Sequence, residues 1–73
     1  MNPRIVAKLN ELAQEIRVGR VKTFYDAVTF LNRSKWRTYQ YIAMLMTMFD
    51  DIKYDYYGDK VFSVKPKEEA RLP

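Results

Sequence analysis

Residues 23–49, TFYDAVTFLNRSKWRTYQYIAMLMTMF, decide how this chain folds, because they hold two helical patterns with almost nothing between them. Thr23 followed by Asp26 three residues on is a capping-box pair, with aspartate standing in for the usual glutamate. Its hydroxyl and carboxylate can satisfy amides that a first helical turn leaves open. Phe24, Ala27, Val28 and Leu31 then recur at helical spacing and mark the buried stripe of a short helix. Asn32, a residue that tolerates the turn, ends it. Ser34 is placed to cap a third helix whose apolar stripe runs Tyr39, Ile42, Leu45, Met46 and Phe49. At about 100° per residue, the opposite side carries Trp36, Arg37, Gln40, Tyr41 and Met44. Two helices joined by so tight a turn cannot lie antiparallel and are expected to cross.

Upstream, Asn2-Pro3 reads as an N-cap followed by proline at the first helical position. Ile5, Leu9, Leu12, Ala13 and Ile16 form the inward stripe of a first helix, and Gly19 supplies its left-handed stop. Gly19 to Lys22 reads as a short edge strand. Downstream of Asp51 the period changes from helical to two: Ile52, Tyr54 and Tyr56, then Lys60, Phe62 and Val64 after Gly58-Asp59. That is a hairpin. A two-residue Gly-Asp loop would set Ile52 and Tyr54 beside Val61 and Ser63, whereas an odd-length loop sets Ile52 against Val64 and Tyr54 against Phe62 on one face; because a one-residue slip reverses every side chain, the odd-length loop is favoured, with Gly58 at a bulge. Pro66 ends the strand. The expected organisation is one α+β domain over residues 1–65 and a flexible tail over 66–73.

With 73 residues the chain has room for one small core. Its 48% hydrophobic and 15% aromatic content is too rich for a disordered chain. There are no cysteines and no histidines, which excludes disulfide staples, the common zinc ligand sets and Cys-His or Ser-His nucleophile pairs. No run of about 20 apolar residues is present and the N-terminus lacks a signal-peptide core, so a cytoplasmic, intracellular place is expected. Asp50-Asp51 could be named as a paired carboxylate, but adjacent residues leaving a helix diverge; they more simply end the helix and solvate the turn. Gly19 and Gly58 are the only glycines, too few for a phosphate-binding loop. No enzyme activity, cofactor, metal or small-molecule ligand is expected.

The formal net charge of +4 favours polyanions, and its distribution says more than its size. From Ala27 through Phe49 there is no acidic residue, while Arg33, Lys35 and Arg37 fall together; Asp50, Asp51, Asp55 and Asp59 follow immediately. The order of elements resembles the winged helix-turn-helix family over roughly the whole chain to Val64. The edge strand at Gly19 to Lys22, the support helix at Thr23 to Leu31, the opening Ser34-Lys35-Trp36-Arg37-Thr38-Tyr39 and the wing at Ile52 to Val64 carry the likeness. Thr38-Tyr39 with Ile42 and Leu45 is similar to the inward pattern of that family's recognition helix. Size, basicity and tyrosine content also resemble small regulators encoded by crenarchaeal viruses and plasmids. Two features depart from the family: residues 41–49 are apolar nearly all round, and Asp59 stands beside Lys60 at the wing tip.

The resemblance implies a transcription regulator that lays the helix at 34–49 in the major groove of double-stranded DNA. Arg37, Gln40 and Tyr41 are the expected base contacts, since arginine can bond guanine and glutamine adenine in bidentate fashion. Ser34, Lys35, Arg33, Lys22 and Thr23 are the expected phosphate contacts, with Tyr57 and Lys60 on the wing. Trp36 is expected to pack under the second helix, the alternative being a wedge against the sugar-phosphate backbone. Tyr54, Tyr56 and Phe62 are expected to be core beneath the wing. The apolar far half of the third helix, with Met44 and Met48, is the candidate surface for a homodimer, whose two-fold axis would match half-sites about one helical turn (~34 Å) apart. The rival readings are a winged-helix protein-interaction module presenting Met44, Met48 and the tyrosines, and a single-strand binder with exposed tyrosines.

Overall fold

Each helix starts on a side chain able to accept from its open amides. The Asn2 side chain accepts from the Arg4 amide at 2.7 Å, and Pro3 takes the first position of α1 (Pro3–Arg17), where no amide is missed. Gly19, at φ 84°, turns the chain out of α1 with its amide donating to the Ile16 carbonyl. The expected capping box opens α2 (Phe24–Leu31): Thr23 Oγ1 accepts from the Asp26 amide and the Asp26 carboxylate accepts from the Thr23 amide, both at 3.1 Å. Asn32 closes α2 in the left-handed conformation, φ 56°. Ser34 Oγ then accepts from the Arg37 amide at 3.2 Å to begin α3 (Lys35–Met48).

The computed structural model describes residues 2–66, over which the chain is α+β, three helices followed by a two-stranded antiparallel hairpin. Most of the tail expected over 66–73 lies outside the described residues. Strands β1 (Ile52–Tyr54) and β2 (Phe62–Val64) pair Ile52 with Val64 and Tyr54 with Phe62, the register that the alternation requires. The bulge expected at Gly58 does not form: the left-handed residue of the loop is Lys60, at φ 57°. Gly58 serves a different need. The Asp55 carboxylate accepts from the Gly58 and Asp59 amides at 2.8 and 2.9 Å, and a Cβ on Gly58 would collide with that carboxylate. These backbone donors hold the Asp55 carboxyl below its usual range.

The edge strand expected at Gly19 to Lys22 contracts to a single bridge, Thr23 to Val61. It is flanked by the Phe62 amide donating to the Lys22 carbonyl and the Phe24 amide donating to the Lys60 carbonyl. The reason is length. Residues 19–21 are spent in the turn that closes α1, where the Arg20 and Val21 amides both donate to the Glu15 carbonyl, and α2 begins at Phe24. What survives is enough to pin the hairpin against the start of α2.

The interior has two centres, and α3 lies between them. Leu9, Leu12, Ala13 and Ile16 of α1 meet Val21, Ala27, Leu31, Tyr41, Leu45 and Ile52 in one; Phe24, Ile42 and Tyr54 form the other, with Val28, Tyr39, Met46 and Phe62 packed on it. Thr38 is fully buried, and its hydroxyl donates to the Ser34 carbonyl at 2.8 Å. Tyr54 and Phe62 sit under the hairpin as expected, but Tyr56 has left the strand and lies edge-on to Tyr54 at the surface. The buried Tyr54 hydroxyl has no hydrogen-bond partner among the described residues, and burial, reinforced by the nearby Tyr39 hydroxyl, pushes its pKa up to about 12. At the far end, Arg17 forks onto Asp51 at 2.9 and 3.0 Å and lies over the Phe49 ring, tying α1 to the turn before β1. Asp51 therefore clasps two elements as well as entering the turn.

Candidate functional site

Packing between two centres widens the buried arc of α3 and leaves a narrow outward strip. Thr38, Tyr41, Ile42 and Leu45 are buried, with Tyr39, Met44 and Met46 half-buried beside them. Trp36, Arg37, Gln40, Ala43 and Thr47 face outward. Tyr41, expected among the base-contacting residues, is corrected by this: only 8% of it is accessible, because its ring completes the core shared with α1 and α2. Met44, a dimer candidate, is half-buried against that core, while Met48 at the end of the helix stays 37% exposed. Trp36 moves the other way. The indole expected under α2 is 70% exposed, in the first turn of α3, where the interior does not reach.

Arg37 and Gln40 share the outward strip, with the Arg37 guanidinium donating to the Gln40 side-chain carbonyl at 3.4 Å. Ala43 and Thr47 continue the strip and were not anticipated; their signal was the i, i+4, i+7, i+11 spacing from Trp36, hidden by assigning Tyr41 and Met44 to the outer side. The Thr47 hydroxyl is spent on the Met44 carbonyl at 2.7 Å.

Around the start of this strip the cations gather from separate segments. Lys35 extends its ammonium over the Tyr25 ring, 5.6 Å from the centroid, and Tyr25 is itself 61% exposed. Arg33, in the turn, donates to the Leu31 and Asn32 carbonyls at 3.3 Å and remains exposed. Lys22 precedes the Thr23 cap, and Lys60 is brought beside it because its carbonyl accepts from the Phe24 amide at 3.0 Å. Carboxylates stand among them too. Asp26 accepts from the Lys22 and Thr23 amides, and those bonds hold its carboxyl below the usual range, with the Lys22 charge adding to them. Ser34 and Thr23 both cap helices; Thr23 is half-buried and Ser34 exposed.

Tyr57 is fully in solvent, at 99% exposure, beside the Gly58-Asp59-Lys60 tip. Asp55 lies close enough to Lys60 for its charge to act there, which offsets part of the tip's positive potential. The site thus offers exposed ammonium and guanidinium groups, an amide side chain and three exposed aromatic side chains, Tyr25, Trp36 and Tyr57. Such a set suits a large anion with flat, hydrogen-bonding surfaces. No group of carboxylates able to hold a metal ion occurs among the described residues, and no described helix is long and apolar enough to cross a membrane. No family model, curated protein or solved structure matches the chain.

Proposed function

We propose that the chain is a winged helix-turn-helix protein that binds double-stranded DNA sequence-selectively and regulates transcription. In this reading α3 enters the major groove, Arg37 and Gln40 meet base edges, and Lys22, Arg33, Lys35, Ser34 and Thr23 hold phosphates around them. The hairpin is the wing, contributing through Lys60 and Tyr57 to a smaller degree because Asp55 and Asp59 stand beside them. One observation carries the proposal: residues 27–49 hold no acid, and along them Arg33, Lys35, Arg37 and Gln40 are all exposed. Asp26, beside Lys22, is held on backbone amides. Fluorescence anisotropy of a labelled random-sequence duplex, titrated at low and at physiological salt, tests it. Saturable binding that weakens steeply with salt is expected, and binding indifferent to salt or absent at low salt overturns it.

A homodimer remains part of this reading, through the end of α3, where Met48 is exposed and Met44 half-buried. Light scattering across a concentration series, with Met48→Glu as comparison, tests it; a wild-type protein monomeric at hundreds of micromolar, with and without DNA, removes it. The protein-interaction alternative draws on the same exposed Met48 and on Tyr57. It is favoured only if duplex binding fails.

A further inference from the structure

The centre of the outward strip of α3 is unusual for what it lacks. Trp36, Gln40, Ala43 and Thr47 fall within an arc of about 60° on a helix of 3.6 residues per turn, and none of them carries a charge. Arg37, which also faces outward, stands about 60° beyond the edge of that arc. Guanine is read in the major groove chiefly by arginine or lysine. An A·T pair instead presents the N6 and N7 positions that an amide side chain matches, together with the thymine 5-methyl group, which takes an apolar contact. Gln40 supplies the amide, and Trp36 supplies the apolar surface one turn earlier.

Trp36 also has an energetic oddity. It holds a large aromatic surface in water, and among the described residues its ring makes no aromatic or cation contact, although Lys35 and Arg37 flank it in sequence. Lys35 reaches Tyr25 instead, and Arg37 reaches Gln40. An indole left bare in the first turn, the part of such a helix that meets base edges, gains by covering an apolar group there. The cations around it make duplex DNA the occupant that its surroundings attract.

Resting on the duplex-DNA reading above, we propose that Trp36 is a specificity-determining residue that packs on thymine 5-methyl groups and directs the protein to A·T-containing steps. The test compares fragments of alternating poly(dA-dT) and alternating poly(dA-dU) duplex, which differ only in that methyl, with alternating poly(dG-dC) as reference. The wild-type protein is expected to bind the thymine duplex about fourfold more tightly for each methyl it covers, the equivalent of ~0.8 kcal/mol. Trp36→Ala should bring the two affinities together by weakening the thymine duplex more than the uracil duplex, and Trp36→Phe should retain the preference. Because Trp36 is exposed, the alanine variant is expected to fold, which circular dichroism checks; the wild-type ratio is informative whatever the variant does. Tight wild-type binding with equal affinity for thymine and uracil duplexes overturns the methyl contact and leaves DNA binding standing. A preference that survives in Trp36→Ala also overturns the assignment. Failure to bind any of the three duplexes at low salt removes the DNA reading itself.

Discussion

Replacing Lys35 and Arg37 together with alanine should change the salt dependence of DNA binding by an amount that can be worked out beforehand. Lys22, Arg33, Lys35, Arg37 and Lys60 form the cationic margin of the α3 strip. If each neutralises one phosphate, log K falls against log salt with a slope of about −4.5, so raising salt from about 50 to about 200 mM weakens binding by about 500-fold. Removing two of the contacts lowers the slope to about −2.7 and the loss over the same interval to about 40-fold. The two side chains are exposed, and the structural bonds nearest them, Ser34 Oγ to the Arg37 amide and the Thr38 hydroxyl to the Ser34 carbonyl, survive truncation to alanine. The variant should therefore stay folded, as its circular dichroism and melting curve will show. Anisotropy titrations at several salt concentrations give both slopes. An unchanged slope in a folded double variant refutes the reasoning, because the phosphates must then be held by some other surface.

Arg37→Ala alone should cost about 1–3 kcal/mol on a selected site and relax preference at one or two base positions, whereas Lys22→Ala should weaken all sequences alike; identical selected-site profiles for Arg37→Ala and wild type exclude Arg37 as a base reader. Ser34→Ala removes the α3 cap and should cost about 1 kcal/mol of stability in chemical denaturation, with an unchanged midpoint counting against the cap. Tyr54→Phe deletes a buried hydroxyl that lacks a partner and should cost nothing or stabilise by up to about 1 kcal/mol. Tyr54 also gives a pH dependence. Its folded pKa is raised to about 12, so the stability linked to its proton is complete below the unfolded value near 10 and is lost as pH rises through about 12. Tyr54→Phe should flatten alkaline unfolding in that window. Asp26 and Asp55 work in the opposite sense: their lowered pKa values give stability present above the ordinary aspartate range and lost as pH falls through the folded values, so Asp26→Asn and Asp55→Asn should blunt acid unfolding.

Signals confined to a few neighbouring residues were legible in the sequence because their physics is local. Asn2-Pro3, the Thr23–Asp26 box, Asn32 and Ser34 each satisfy or terminate a helix from within one turn of chain, and they stand where those residue types demand. The hairpin register was legible too, since a period of two admits only two facings and only one buries Ile52 and Tyr54 together. The short edge was misplaced because the spacing that reads as a strand was consumed by the turn closing α1. Gly58 read as the site of a bulge, but its lack of a side chain serves the Asp55 carboxylate. The outer face of α3 depended on tertiary structure most of all. Periodicity yields an apolar side and its opposite, and a helix packed on one neighbour obeys that division. Here α3 contributes to two core centres, one shared with α1, α2 and Ile52 and the other with Phe24 of α2 and Tyr54 of the hairpin, so Tyr41, with its polar edge, was drawn inward and Met44 half so. Trp36, one turn before that sandwich begins, was left in water. A side chain's facing follows from how many neighbours its helix has, and that number is set by residues far away in the chain.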